Sequence, residues 1–317
     1  MSFYVGTGTT CGLGIEPSYG TKTTMTDLVN LTSETLTTTV EKGDEGSLLA
    51  SKTAMSRDLM SITVSGDVSF ILRPEFAGHL FYAAMGGADS VSEGSAGSYT
   101  HTMHLCDVND DLPTLTITMD RKAAIKAYTG CTISNLSLSC AAGDYVSGSF
   151  SVNGYKEEVG TLGDVPSYTV PSYRCTAATF KIGEETYDIS SASLTIDNAL
   201  VEAPQTYSSG LYAGQPQHGM RTVTIDFDIP YSTQVETLKS EMLETELNAE
   251  VVLTFTSSNQ DYKVEITMPN VSINSISANV SGTGLVTASV SGEALSVGED
   301  EPLIVAITDK TETPYGN

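Results

Sequence analysis

The sequence predicts a mainly β protein built from two tandem β-sandwich or barrel domains, each with one flanking α-helix. Ser and Thr together account for 78 of the 317 residues, 37 and 41 respectively. They alternate with Val, Ile and Leu, which is typical of strands that bury one face and expose the other. In addition, the order of predicted elements occurs twice along the chain, and each occurrence contains a single segment with helical spacing. One helix cannot cover both faces of a sheet, so a sandwich or a partly closed barrel is expected.

The first half begins with a predicted strand over 29–41, a long polar loop over 41–58 and a second strand over 59–72. Pro74 begins a helix, because Phe76, Leu80, Phe81 and Ala84 recur at three- and four-residue spacing, and Gly86 ends it. The strands predicted after the helix lie at 99–106, 114–120, 131–140 and 145–155.

The second half repeats this order. A strand over 189–197 is followed by a long loop over 198–219 and a strand over 220–229. Pro230 is predicted to begin a helix with Val235, Leu238 and Leu243 on one side. The strands predicted after this helix lie at 250–256, 262–268, 271–280 and 285–293.

The two halves also agree in the phase of their apolar residues. Residues 31–37 match 189–195 at an offset of 158, and 131–151 overlays 271–291 without a gap at an offset of 140. A slip of one residue would move every side chain to the opposite face of its strand. The agreement therefore indicates a duplicated domain, with two unrelated β domains as the alternative.

Composition divides the chain into four parts. Residues 1–24 are rich in Gly and Thr without a period, which predicts an extended N-terminal arm rather than part of a core. The first domain then covers 25–158. Residues 159–172 contain prolines and glycines with little alternation and form the predicted linker. The second domain, with a C-terminal extension, covers 173–317.

The net charge and the lack of visible targeting signals argue against several classes of protein. The chain carries 15 Lys and Arg against 39 Asp and Glu, a formal net charge of −24. Phosphate backbones and anionic membranes should repel it. No apolar run approaches the roughly 20 residues of a membrane-spanning helix, and residues 1–20 contain no visible secretory signal. The five cysteines include no CxxC pair and are expected to be free thiols in a reducing compartment.

The sequence offers little chemistry. His101 and His104 lie three apart on a predicted strand, so they point to opposite faces and cannot chelate one metal together. The segment 6–14 resembles a phosphate-binding loop but lacks the lysine, and the Asp-rich segment 108–113 is best interpreted as a solvated turn. No hydrolase, zinc-protease or nucleotide-binding motif is present. We therefore predict no catalytic residues, no cofactor, no metal site and no enzyme activity.

The two long loops, 41–58 and 198–219, are the unusual features. They lie at equivalent places in the two halves, and each contains an apolar pair in a polar setting: Leu48 with Leu49, and Leu211 with Tyr212. Long loops in compact domains are usually functional, and exposed apolar residues on them suggest contacts with another copy. Together with Tyr19 in the arm, these residues are the predicted contact sites. The alternative is loops without a partner.

Several segments taken together resemble a known family. They are GLGIEPSYGT (12–21), LTSETL (31–36), VSGDVSFILRPEFAGHLFYAAMG (64–86), YTHT (99–102) and YTGCTISNLSLSC (128–140). In order and spacing they are similar to the tail tube proteins of long-tailed bacteriophages. The similarity covers most of 1–155, and the second half resembles a divergent second copy of the tube domain.

The resemblance implies a structural virion protein, assembled in the host cytoplasm into stacked rings that form a hollow tail tube. The genome would pass through the lumen without specific binding. Single-domain members form six-fold rings, so a double-domain chain would form trimeric rings with pseudo-six-fold symmetry. Implied partners are further copies of the chain and the tail terminator, tape measure and distal tail proteins. The alternatives are a secreted or surface-layer adhesin, and another connector or decoration protein of the virion.

Overall fold

The computed structural model of the protein describes residues 4–44, 56–94, 97–163, 168–244, 248–258, 261–279, 284–298 and 301–316. Within these ranges the strands are β1 Thr10–Ile15, β2 Asp27–Val29, β3 Leu31–Glu34, β4 Thr37–Asp44, β5 Arg57–Ile71, β6 Gly86–Glu93, β7 Tyr99–Leu105, β8 Leu115–Asp120, β9 Ile125–Ala141, β10 Ser147–Gly154, β11 Lys156–Val159, β12 Thr179–Ile182, β13 Glu185–Thr186, β14 Ser191–Asp197, β15 Thr222–Pro230, β16 Asn248–Thr256, β17 Lys263–Ala278, β18 Thr287–Ala294 and β19 Ile304–Asp309. The helices are α1 Pro74–Met85 and α2 Thr233–Glu244. The prediction of a mainly β protein with one helix per half is confirmed.

Eight strand positions form one antiparallel sheet, called the main sheet below. Its order is β3/β4–β5–β10–β9–β14–β15–β18–β17, where β3 and β4 follow each other along the same edge of β5. Both halves of the chain contribute to it. They meet where β9 pairs with β14, so that Leu138 stands opposite Leu194.

Two smaller sheets share the long strands β9 and β17 with the main sheet. One has the order β2–β1–β8–β9–β11. The other has the order β13–β12–β16–β17–β19–β7–β6. The hairpin β6–β7 comes from the first half but completes the sheet of the second half.

The predicted extended arm is wrong for its middle part. Residues Thr10–Ile15 form β1, which pairs with β2 and β8, and Cys11 and Leu13 are fully buried. Glu16, also buried, accepts hydrogen bonds from the amides of Gly20 and Gly130. The Gly- and Thr-rich composition hid this strand, because its glycines give little periodicity while allowing close packing. A Cβ on Gly12 would lie 2.6 Å from the Met25 sulfur.

Other predicted boundaries also change. The predicted loop 41–58 begins and ends inside a hairpin, because β4 continues to Asp44 and β5 starts at Arg57. Pro230 ends β15 opposite Thr287, and α2 begins at Thr233 instead. The predicted linker contains the end of β11 at its start and the buried Val170 and Ser172 near its end, so the chain stays in contact with the fold along these parts.

Helix α1 fills the core as its spacing predicts. Phe76, Leu80, Phe81 and Ala84 are all fully buried, and Phe76 packs edge-on against Phe70 of the main sheet. Gly86 ends the helix with φ of +75°, a left-handed conformation that glycine adopts without strain. In α2, Val235 and Leu238 are buried as predicted, whereas the side chain of Leu243 lies outside the described residues.

Strand register repeats between the halves. In the first half Val68 stands opposite Phe150, which stands opposite Leu136; in the second half Phe227 stands opposite Val290, which stands opposite Ile276. The offset is 159 for β5 to β15 and 140 for β9 and β10 to β17 and β18. The irregularity that places one extra residue in β9 between Ile133 and Asn135 recurs in β17 at the same offset.

Candidate functional site: the polar face of the main sheet

The main sheet has one apolar and one polar face. Residues that stand opposite one another on neighbouring antiparallel strands share a face. The apolar face includes Val68, Phe150, Leu194 and Phe227, which are all buried in the core. The other face, called the polar face below, is built from half-buried or exposed residues between these positions. Its members are Ser33, Thr37, Thr39, Thr63, Ser65, Asp67, Ser69, Asn135, Ser137, Ser139, Ser147, Ser149, Ser151, Ser191, Ser193, Thr195, Asp197, Thr222, Thr224, Asp226, Asp228, Ser275, Ser277, Ser289, Ser291 and Glu293.

Rows of short polar side chains cross this face from strand to strand. In one row Ser139 stands opposite Ser193, which stands opposite Asp226, and the row continues through Ser291 to Ser275. Hydroxyl and carboxylate groups from β9, β14, β15, β17 and β18 line a depression in this part of the face. Because its side chains are exposed or half-buried, this face of the sheet is open to water rather than packed on another layer.

Two aspartates are held by serines of the adjacent strands. The hydroxyls of Ser191 and Ser289 donate to the two carboxylate oxygens of Asp228, at 2.8 and 2.6 Å. The hydroxyl of Ser151 donates to Asp67 Oδ1 at 2.5 Å. These bonds tie each carboxylate to the sheet, so the negative charges keep fixed positions on the face.

The charge on the polar face has one sign. Five of its members are carboxylates, namely Asp67, Asp197, Asp226, Asp228 and Glu293, and the set contains no Lys or Arg. All other members are hydroxyl or amide side chains. Such a surface repels phosphate groups, and it offers neither cationic side chains nor aromatic rings that could hold a nucleic acid.

The residues predicted to contact another copy have contacts within their own chain. Tyr19 donates its hydroxyl to the Gly214 carbonyl at 3.1 Å and packs on Tyr155, which in turn packs on Tyr212. The carbonyl of Leu211 accepts a 2.9 Å hydrogen bond from the Ile62 amide. The loop 198–219 of the second half therefore lies against the first half, and these three side chains are half-buried rather than exposed tips. A role in ring stacking stays a prediction.

Leu48 and Leu49 lie outside the described residues. The two strand ends that lead to them are described, and they form a hairpin arm, 40–44 with 57–62, beyond the edge of the core. Three apolar side chains of this arm are exposed, with Val40 at 47%, Leu59 at 39% and Met60 at 51%. Tyr207, near the middle of the loop 198–219, is fully exposed.

The cysteine thiols and the two histidines of β7 are placed where they serve the structure of the fold. All five cysteines are free, as predicted, and burial raises the pKa of the Cys11 thiol to about 12, which keeps it protonated and unreactive. His101 is fully buried between Asp89 and Asp309, whereas His104 is half-buried and paired with Glu301. In the described ranges no cluster of three or more His, Cys, Asp or Glu side chains could hold a metal ion.

The residues of the polar face can be recognised in the sequence strand by strand, but not as one surface. The signal was the repeated Ser-x-Ser spacing at 137–139, 147–151, 191–193, 275–277 and 289–291, together with Asp226 and Asp228. Period-two spacing shows that each strand has a polar face. It does not show that eight strands present that face to the same side.

Among the described residues, neither helix is long and apolar enough to cross a bilayer.

Taken together, fold and site define a structural class: antiparallel β proteins with a wide polar sheet face and a protruding hairpin. Comparison with known protein families gives a match to phage tail tube proteins over residues 6–294, a single match that spans both halves. The chain belongs to the phage tail tube protein family, and it is a structural protein of the virion tail. A search of curated proteins returned no match.

Proposed function

We propose that this chain closes into rings around a channel lined by the polar face, and that stacked rings form the tube through which the phage genome leaves the virion. The observation that carries the proposal is the polar face itself: eight adjacent strands present hydroxyls, amides and carboxylates, and no cation, to one side. A conduit must not retain DNA, and an anionic, hydroxyl-rich wall has no strong attachment for phosphates or bases.

The chain further combines two copies of a tube domain. Supporting this are the repeated strand register and the repeated irregularity in β9 and β17. A second irregularity also recurs: Leu115 and Ile117 oppose Cys131 and Tyr128, and in the second half Ala249 and Val251 oppose Val271 and Met268. Such bulges are specific features of a sheet, and two of them at matching places favour common descent over two unrelated domains.

Three chains form one ring. Eight strands alone would close into a barrel whose interior is filled by side chains, which does not suit a wet, charged face. Three copies bring 24 strands. At a strand spacing of about 4.8 Å their circumference is about 115 Å and the distance between opposite backbones about 37 Å, before strand tilt widens it. This leaves an aqueous channel and gives pseudo-six-fold symmetry from three chains.

Rings stack through the hairpin arm and the second long loop. The arm exposes Leu59 and Met60 on a hairpin beyond the edge of the core, and it leads to Leu48 and Leu49. Tyr19, Leu211 and Tyr212 hold the second loop in place beside this arm, through the contacts to Ile62 and Gly214. At the ends of the tube the same surfaces meet the tail terminator, tape measure and distal tail proteins.

Negative-stain microscopy of the purified chain tests the proposal. Rings or tubes with an open centre are expected. Dispersed monomers would contradict it, whereas closed rings that never stack would favour a connector or decoration protein of the tail.

Replacing both Leu48 and Leu49 with Asp should weaken stacking while the chain still folds. Charge placed in an apolar contact costs several kcal/mol when it is left unpaired. Tube length in micrographs and sedimentation measure the effect, and circular dichroism checks the fold. The control is Val108→Asp, at an exposed turn outside both loops. Tubes of parental length from the double variant would remove this loop from the stacking contact.

A further inference from the structure

We infer that one edge of the main sheet pairs with the other edge in the next copy of the chain, in a defined register. Thr37 lies opposite Ser277 of the next copy, and Thr39 lies opposite Ser275. The inference rests on the proposed ring assembly and adds which strands join the copies and how they are aligned.

The register follows from the strand pair that joins the two halves within one chain, called the internal joint below. There, β9 pairs with β14, with Ser137 opposite Thr195 and Asn135 opposite Asp197. The offset of 158 relates β14 to β3 and β4, and the offset of 140 relates β9 to β17. Moving the joint by these offsets places Thr37 (195 − 158) opposite Ser277 (137 + 140). The internal joint thus serves as a template for the joint between copies.

Both edges are open in the described part of the chain. Along 37–44, β4 pairs only with β5, and along 273–278, β17 pairs only with β18. Open edges with unpaired backbone groups are templates for another strand. The two edges differ from each other, so their union is head-to-tail, and such contacts generate closed rings when the rotation permits.

The apolar side chains of β9, which has a neighbouring strand, are more deeply buried than their equivalents in β17, as expected if β17 lacks a neighbour. Leu136 and Leu138 of β9, which β14 covers, are 1% and 2% exposed. Their equivalents in β17, Ile276 and Ala278, are only half-buried. The apolar side of the open edge is therefore incompletely covered until another strand lies beside it.

The other edge shows the same contrast. Asn198 follows β14 and is fully buried, and its amide donates to the Ser134 carbonyl at 2.9 Å. The equivalent residue, Val40, is 47% exposed. The offsets bring Val40 to Asn274 of the next copy, where it would be covered as Asn198 is covered within the chain.

At one residue of this edge, Leu36, the backbone already has hydrogen-bond partners in the single chain. The Leu36 amide donates to Glu34 Oε2 at 2.9 Å, and the Leu36 carbonyl accepts from Arg121 Nη2 at 2.9 Å. Arg121 also forms a two-bond ion pair with Glu34. Side chains thus occupy the edge at Leu36 in the single chain, a common protection of exposed edges. The new pairing is accordingly centred on 37–40, and at Leu36 it replaces the contact with Glu34.

Disulfide crosslinking tests the register. Opposite residues of antiparallel strands have Cα atoms about 4.5–5.5 Å apart, which a disulfide can span. The test pairs are Thr37→Cys with Ser277→Cys, and Thr39→Cys with Ser275→Cys. The internal control is Thr195→Cys with Ser137→Cys, the template pair. The register control is Thr39→Cys with Asn279→Cys, displaced by four residues or about 13 Å.

After oxidation of the assembled full-length chain, both test pairs should give covalent dimers and trimers several-fold above the parental background, with no larger species. The internal control should close within single chains, and the register control should stay at background. Equal crosslinking by the register control would overturn the register. Failure of both test pairs, while microscopy shows rings and the internal control closes, would overturn the edge pairing but leave the tube. Absence of rings from the parental chain would instead contradict the proposed function.

Discussion

Replacing His101 with Gln should lower the free energy of unfolding by about 3–5 kcal/mol, the usual loss when one partner of a buried ion pair is removed. His101 is fully buried on β7, with Nδ1 2.8 Å from Asp89 Oδ2 and Nε2 2.9 Å from the Thr311 carbonyl. Asp309 Oδ1 lies 3.4 Å from Nε2. The variant leaves two buried carboxylates without their cation. Thermal unfolding followed by circular dichroism should show Tm lower by about 5–15 °C.

The buried cluster around His101 connects segments that are far apart in the sequence. Asp89 lies on β6, His101 on β7 and Asp309 on β19, and the Tyr315 ring packs on His101 with its hydroxyl bonded to Asp309. Tyr315 lies directly against Gly78 of α1, where an added Cβ would overlap its ring. The cluster therefore holds the hairpin of the first half, the last strand of the second half and the C-terminal segment together.

The same group makes stability depend on pH. Burial alone disfavours the charged imidazolium, but hydrogen bonds with Asp309, Asp89 and the Thr311 carbonyl outweigh it and raise the pKa of His101 to about 10. The pKa of an unfolded histidine is about 6.5. The stabilisation is thus complete below about pH 6.5 and is lost as pH rises towards 10. Across that window the parental chain should lose stability, and its advantage over His101→Gln should shrink.

His104→Gln is the matched control, three residues further along the same strand. His104 pairs with Glu301 in a half-exposed position, and such pairs contribute about 0–1 kcal/mol. If both substitutions had equal effects, or if the advantage of His101 grew with pH, a charged His101 between two carboxylates would not be the source of the stability.

In the proposed ring assembly, replacing Asp67 and Asp226 with Lys should make the channel retain DNA. The two positions are equivalent in the two halves, so three chains would carry a ring of six lysines in the lumen. Lysines that neutralise phosphates release counterions and bind duplex DNA with an affinity that falls steeply with salt. Parental rings should bind duplex DNA poorly, and the variant should retain it at low salt and release it at high salt in a sedimentation or gel-shift assay.

Glu184→Lys with Glu185→Lys provides the control, because it changes the charge equally at two exposed residues, one in the turn after β12 and one at the start of β13. This variant should bind no more DNA than the parental chain. Equal retention by the control would mean that net charge, rather than the polar face, governs DNA binding. Tight binding by the parental rings at physiological salt would contradict a non-retaining lumen.

Local sequence patterns predicted the helices and strands whose formation depends mainly on neighbouring residues. Helix α1 was predicted from Pro74 to Gly86, because one helix face must be apolar and glycine favours the left-handed end. Strand β15 was predicted over 220–229, and its buried residues alternate with less buried ones. The prediction was wrong at Pro230, since proline is compatible with the end of a strand as well as with the first turn of a helix.

The candidate site was predicted less completely. Tyr19, Leu211 and Tyr212 are predicted to contact another copy; in the fold they also contact the other half of their own chain, which the sequence does not indicate. Strand β1 lies in the segment predicted as an arm, because its glycines weaken the apolar pattern, yet its neighbours β2 and β8 bury it. Strand β19 was absorbed into an unassigned extension, although β17 and β7 flank it. These outcomes depend on residues far away in sequence.

By itself the sequence determined that this is an acidic β protein with Ser, Thr and Asp alternating along its strands, and it predicted two similar halves. Periodicity and charge are properties of neighbouring residues, so they can be read along the chain. Only the tertiary structure decided that β9 joins β14, that eight polar faces point to one side, and which two edges stay open. Strand partners are chosen by contacts between distant segments that bury a shared core, and no local pattern specifies them.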